Sequence, residues 1–142
     1  MMGKRMRKVV GVRAEQGDRS KTERLPWGFR TTLASHALSG SGVTLEHLLL
    51  FPGQTTDVHL HPDTDEACHL VWGNLSVAIG ASTFLLKQGD TLTIPRDQAH
   101  QIKNAGKGTA EILQALSSGA AESIDPCAQA IRQAFPFLWP WR

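Results

Sequence analysis

The sequence predicts an all-β sandwich or barrel, and three observations predict it. Short runs rich in Val, Leu, Thr and Phe recur along residues 43–116, turn residues built on Gly, Asn and Asp separate them, and no stretch of helical periodicity interrupts them. In chain order, residues 9–14 are a candidate first strand and residues 15–23 read as a polar loop, after which Pro26-Trp27-Gly28 opens the globular region. Residues 43–51 form the first long run, set between Gly40-Ser41-Gly42 and Pro52-Gly53, both of which punctuate a chain. Runs 67–72 and 75–79 flank Gly73-Asn74 as the two arms of a hairpin do. Gly80-Ala81-Ser82 introduces run 83–86, and Gln88-Gly89-Asp90 introduces run 91–94. Runs 100–103 and 109–116, divided by Asn104-Ala105-Gly106, complete the series.

The pattern changes only near the C-terminus. Ser123-Ile124-Asp125-Pro126 is suited to cap a short helix over residues 127–135, with Pro near its first turn. Beyond it, Phe135-Pro136-Phe137-Leu138-Trp139-Pro140-Trp141 is apolar enough to cover the barrel or to serve as a subunit contact. The organisation read from sequence is therefore a charged head (1–24), a barrel (25–118) and a helix with an apolar tail (119–142).

With 142 residues the chain is long enough to build one hydrophobic core without a disulfide framework. Cys68 and Cys127 are too few to staple a secreted scaffold and form no Cys-x-x-Cys pair, which excludes most zinc-ribbon and thioredoxin-like readings. A reducing, cytoplasmic setting is expected. No apolar run approaches the roughly 18 residues of a membrane span, and the basic N-terminus lacks the apolar stretch of a secretory signal. Residues 1–24 hold eight basic and three acidic side chains, against seven and ten in the remainder. The net charge of +2 is thus a basic head on a mildly acidic barrel. Lys4, Arg5, Arg7 and Lys8 read as a solvated terminus, and neither nucleic acid nor membrane is an expected partner.

The segment 53–73 carries the chemistry. In an extended chain side chains alternate faces, so His59 and His61 point the same way, as two imidazoles sharing one metal must. Residues 62–65 turn the chain, and Glu66 returns a carboxylate at the start of the next strand. His100, shortly after Pro95-Arg96-Asp97, offers a further imidazole at the start of another strand. Three imidazoles and a carboxylate suit Fe(II), Mn(II), Ni(II) or Zn(II), and the shortage of thiolate argues against a purely structural zinc site. An octahedral ion with four protein ligands keeps two positions for a bidentate substrate, or for a substrate plus dioxygen.

These residues resemble the cupin family. Its first motif, G-x5-H-x-H-x4-E-x6-G, matches at Gly53, His59, His61, Glu66 and Gly73. Its second, G-x5-P-x-G-x2-H-x3-N, matches at Gly89, Pro95, His100 and Asn104, with Asp97 in place of the middle glycine, a residue that tolerates turn geometry. The resemblance implies a double-stranded β-helix, or jelly roll, with one divalent metal inside the barrel on His59, His61, Glu66 and His100, Fe2+ ahead of Mn2+, Ni2+ or Zn2+. It also implies a metal-dependent enzyme on a small organic substrate, a dioxygenase ahead of an isomerase or cyclase, with Glu66 doubling as a proton shuttle. The alternative is a non-catalytic, metal-containing module that binds a small molecule. Small cupins often pair through sheet edges and terminal segments, so a homodimer is expected. Pro26-Trp27-Gly28 looks like the opening segment of the cupin-type phosphomannose isomerases.

Other residues follow from parity. Cys68 and Leu70 share the parity of Glu66 and are expected to face the interior, with Leu70, Trp72, Phe84 and Ile102 shaping an apolar pocket suited to an aromatic or diketone-like substrate. His69 has the opposite parity and is expected at the surface, while His36 and His47 are expected in solvated or structural roles. The chain has no Tyr, so a tyrosinate base is excluded and any protein base is His, Asp, Glu or Cys.

Overall fold

The computed structural model describes residues 21–35 and 42–117. Nine strands run through them: β1 (Thr22–Leu25), β2 (Gly28–Ala34), β3 (Val43–Leu50), β4 (Glu66–Trp72), β5 (Asn74–Ile79), β6 (Ser82–Lys87), β7 (Thr91–Ile94), β8 (His100–Asn104) and β9 (Ala110–Ser117). They form a six-stranded sheet in the order β1-β2-β3-β9-β4-β7 and a three-stranded sheet β6-β5-β8, with antiparallel pairing throughout. Leu50, Leu70 and Ile112 from the large sheet and Leu75, Val77 and Ile102 from the small one share a single buried core. This is the jelly roll that the motifs imply. The candidate strand at 9–14, His36, the helix over 127–135 and the apolar tail lie outside the described residues.

Seven of the expected runs are strands β3 to β9. β1 and β2 go beyond the expectation, since β1 starts inside the stretch that reads as a loop and β2 follows an opening segment with no strand pattern of its own. The reason is visible in the register. Gly28, Arg30 and Thr32 lie opposite Leu50, Leu48 and Glu46 of β3, so the inward positions of β2 carry no apolar alternation to detect. No helix among the described residues is long and apolar enough to cross a membrane.

Across the large sheet the inward side chains fall into rows. One row joins Thr44, Leu116, Glu66 and Ile94; the next joins Thr32, Glu46, Gln114, Cys68 and Leu92; the third joins Arg30, Leu48, Ile112 and Leu70. The interior therefore changes from polar to apolar along the strands. At the apolar end Gly73 is required: its φ is +102°, and a Cβ there would sit 3.1 Å from the Cα of Ala110.

Candidate metal centre

The two histidine-bearing segments meet through their backbones. The His59 N–H donates to the His100 carbonyl at 3.0 Å and the His100 N–H returns a bond to the His59 carbonyl at 2.8 Å, placing the two side chains side by side. Thr56 extends this pairing, donating its N–H to the Ile102 carbonyl at 2.8 Å and accepting the Ile102 N–H on its hydroxyl at 3.0 Å. His61 is tied in from the turn before β8, where the Asp97 N–H donates to its carbonyl at 3.0 Å. Asp97 has φ +65°, the left-handed conformation that explains the family's glycine and that Asp adopts at modest cost. Nearby, Arg96 donates its N–H and guanidinium to Asp65, which in turn exchanges hydrogen bonds with Ser117 at the end of β9. These bonds pin the turns around Glu66, the first residue of β4.

The four expected residues converge. One ligand atom each from His59, His61, Glu66 and His100 lies within 4.8 Å of all the others. The His100 Nε2 is 3.0 Å from Glu66 Oε2 and the His61 Nε2 is 3.4 Å from the same atom. Yet both carboxylate oxygens of Glu66 and the Nε2 atoms of His61 and His100 are buried without a hydrogen bond of acceptable geometry. Buried polar atoms nearly always have a partner, so this cluster has ligating capacity that the protein itself does not use. The outer nitrogens are satisfied: His59 Nδ1 donates to the Asp57 carbonyl at 2.8 Å and His100 Nδ1 to the Gln98 carbonyl at 2.9 Å. A carbonyl only accepts, so a hydrogen sits on each Nδ1 and each Nε2 is left to face the cluster, as in metal-ligating histidines. The residues present fit a divalent ion.

The electrostatics agree with that fit. Burial, reinforced by the neighbouring His100, pushes His59 down to about 4, so its imidazole is neutral near pH 7. Burial would raise Glu66, but His100 and His61 beside it outweigh that effect and hold it at about 2, an ionised carboxylate. Burial would lower His100, but its contact with Glu66 raises it instead. Cys68, fully buried in the next row, is pushed up to about 12 by burial and by Glu66, which makes it a neutral thiol that packs as a small hydrophobe.

Among the remaining candidates, Leu70 and Ile102 are buried in the core as expected. Trp72 and Phe84 correct the reading of an apolar pocket. Between Leu70 and Trp72 the β4–β9 register slips by one residue, a bulge that turns Trp72 outward, where it is 59% exposed at the opposite end of β4 from Glu66. Phe84 lies on the edge strand β6 and is 42% exposed. His47 and His69 stand away from the cluster, bonded to Glu111 Oε1 and Thr91 Oγ1, each at 2.8 Å. Trp27 is a core residue whose carbonyl accepts the Phe51 N–H.

Arg30, Glu46 and Gln114 are inward residues that lie outside the motifs. Glu46 shares its parity with the buried Leu48 and Leu50, and Gln114 shares its parity with Ile112 and Leu116. That parity is the signal the sequence offers, a polar residue continuing an apolar inward stripe. Glu46 and Gln114 lie in the row next to that of Glu66, and Arg30 lies in the row beyond.

Comparison with known proteins agrees with this architecture. The Cupin domain family model matches residues 47–116. The tetracenomycin polyketide synthase protein TcmJ of Streptomyces glaucescens is 28% identical over 88 residues, 62% of this chain and 59% of that protein. The chain thus spans less than two thirds of that relative's length. The polyketide synthase protein CurC of Streptomyces cyaneus is 28% identical over 144 residues, 96% of this chain and 91% of that protein. Among solved structures, an oxalate decarboxylase of Lactobacillus farciminis superposes with a TM-score of 0.63 at 21% identity, over 69% of this chain and 31% of that one, a likeness of fold. Motif spacing, sheet topology and family match together place this chain in the cupin family, as a small cupin domain with a cluster of three histidines and one glutamate inside its jelly roll.

Proposed function

We propose that the protein is a metal-dependent cupin enzyme whose substrate is a small molecule bearing β-related carbonyl groups, as a polyketide chain does, and whose reaction is proton transfer leading to ring closure. The observation that carries this reading is the buried cluster with unmet valence on His61, Glu66 and His100. His59, His61, Glu66 and His100 would hold one divalent ion, which supplies Lewis acidity toward carbonyl oxygens. The chain's own residues do the rest. The Asp57 and Gln98 carbonyls fix the His59 and His100 rings. The ionised Glu66 balances positive charge, and Cys68 and Leu70 seal the floor against water. The polar wall of Arg30, Glu46 and Gln114 faces the reacting molecule. The likeness to two polyketide synthase proteins supports the substrate class.

A dioxygenase is the second reading, favoured by the ligand set itself, since three imidazoles and a carboxylate also suit Fe(II) with open positions for dioxygen. One experiment separates the two. Protein loaded singly with Fe2+, Mn2+, Ni2+ or Zn2+ is incubated with ethyl acetoacetate and a triketone in D2O, while oxygen uptake and hydrogen exchange at the carbon between the carbonyls are followed. Exchange under nitrogen with redox-inert Zn2+ is the expected result. Oxygen uptake confined to the Fe2+ form, with carbon–carbon cleavage, would establish the dioxygenase instead, and binding with neither reaction would leave a non-catalytic module.

A further inference from the structure

We propose that Glu46 is the protein base of this site, a catalytic carboxylate that takes the acidic proton of the substrate while the metal-ligating cluster holds its carbonyl groups. The inference rests on the reading above and names the residue that does its proton transfer. Glu46 is fixed on the inner face by its strand: it alternates with the buried Leu48 and Leu50 on β3 and pairs directly with the buried Gln114 on β9. Gln114 pairs in turn with Cys68, and Glu66 sits in the adjacent row. Two strand spacings separate Glu46 from β4, about 10 Å of backbone across the sheet.

Glu46 belongs to the electrostatic environment of the site without belonging to the ligand cluster. It interacts with the charges of Glu66 and His61, yet it is not one of the four converging residues. Glu46 is half-buried and the His61 side chain is 28% exposed, so both keep contact with solvent. Arg30, inward on the neighbouring strand and paired with Glu23 at 2.7 Å, stands on its other side. Burial, the largest influence on Glu46, holds its carboxyl above the ordinary value, which suits a group that must both accept and return a proton.

Several other described side chains are already engaged or unsuited. Cys68 is a neutral thiol pushed up to about 12, Glu66 and the three cluster histidines are committed to the metal, and His47 and His69 are bonded to Glu111 and Thr91 away from the cluster. The chain has no Tyr. The step balances without an oxidant. The C–H bond between two carbonyls breaks, its proton goes to a Glu46 carboxylate oxygen, and the electron pair delocalises into the dicarbonyl as an enolate. The enolate carbon then bonds to a more distant carbonyl carbon of the same chain, and Glu46 returns the proton to the oxygen of the new alcohol. The substrate class is therefore a linear molecule with at least four alternating carbonyls, since the carbon between the first two closes a six-membered ring on the fourth.

The test uses the full chain loaded with Zn2+, with ethyl acetoacetate as the probe, in wild type, Glu46→Gln, Glu46→Asp and Glu111→Gln, the last altering an outward carboxylate of β9. Metal content, melting temperature and probe binding by NMR titration are measured alongside hydrogen exchange in D2O. Glu46→Gln is expected to keep its metal and bind the probe while the catalysed exchange falls by about 100-fold or more. Glu46→Asp should recover part of that rate, with the acid limb of the pH–rate profile displaced, and Glu111→Gln should match wild type. Exchange by Glu46→Gln at the wild-type rate would overturn the assignment and leave the proposed function standing. Loss of metal from Glu46→Gln would also overturn it, by making Glu46 part of the metal site or its scaffold. Absence of exchange in wild type would remove both.

Discussion

The two ends of β8 present buried polar side chains with opposite outcomes. Asn104 and His100 are both inward and almost fully buried, at 1% and 2% exposure. Asn104 uses its bonding capacity within the protein: Nδ2 donates to the Leu50 and Gly108 carbonyls at 2.8 Å each, and Oδ1 accepts the Gly106 N–H at 2.9 Å. His100 uses only Nδ1, leaving Nε2 beside the Glu66 carboxylate without a hydrogen bond. Burial of a polar group does not by itself mark a site. Unmet valence does, and it separates a residue that holds a turn together from one that is set to take a ligand.

That contrast is open to four tests, taken from the largest expected effect to the smallest. His100→Ala should cost more metal affinity than the roughly 10–100-fold lost when a ligand's outer partner is removed. Metal titration of the purified variant measures it, and retained affinity would show the cluster to be misread. Asn104→Ala should do the opposite. It removes three hydrogen bonds worth about 1 kcal/mol each, so a loss of about 3 kcal/mol in denaturant unfolding is expected with metal affinity preserved in the folded fraction.

The third test is pH. Metal must displace a proton from His100, whose affinity for it is raised in the folded protein, so metal affinity should climb as pH rises through that raised value and fall below it. Metal-free stability has its own windows. His59, lowered from 6.5 to about 4, supports the fold above pH 6.5 and loses that contribution as pH falls toward 4; Glu66, lowered from 4.5 to about 2, does the same between 4.5 and 2. His100 runs the other way, its contribution being complete below 6.5 and lost as pH rises through its raised value. Unfolding midpoints of the metal-free protein across pH should therefore decline through the acid range, and His59→Gln should flatten the portion between 6.5 and 4. The smallest effect belongs to Asp97→Gly. Relieving one left-handed non-glycine residue should raise stability by about 1 kcal/mol at most and leave the metal site as it was.

The site is more legible in the sequence than the wall around it, for a physical reason. Ligand spacing is local: His59 and His61 are two residues apart on extended chain, and Glu66 and His100 each open a strand, so alternation and turn residues are enough to bring them together. Strands β3 to β9 are legible because glycine-bearing turns bound apolar runs. β1 and β2 are not, because Gly28, Arg30 and Thr32 at the inward positions of β2 break the alternation that reveals a strand. Glu46 and Gln114 escape notice because an isolated polar residue in an apolar run reads as outward until the register fixes its face. Trp72 fails for a subtler reason: parity counted along β4 is correct up to Leu70, and a single bulge, invisible in composition, reverses it.

The central claim is that the converging side chains of His59, His61, Glu66 and His100 form one metal site. Elemental analysis tests this most directly, on protein stripped with chelator, reloaded with each of Mn2+, Fe2+, Ni2+ and Zn2+, and desalted, beside His61→Ala treated in the same way. One ion per chain in wild type, with X-ray absorption showing nitrogen and oxygen neighbours and no sulfur, and loss of that ion from His61→Ala is the predicted result. Wild type that retains none of the four metals, or His61→Ala that retains as much as wild type, would contradict it.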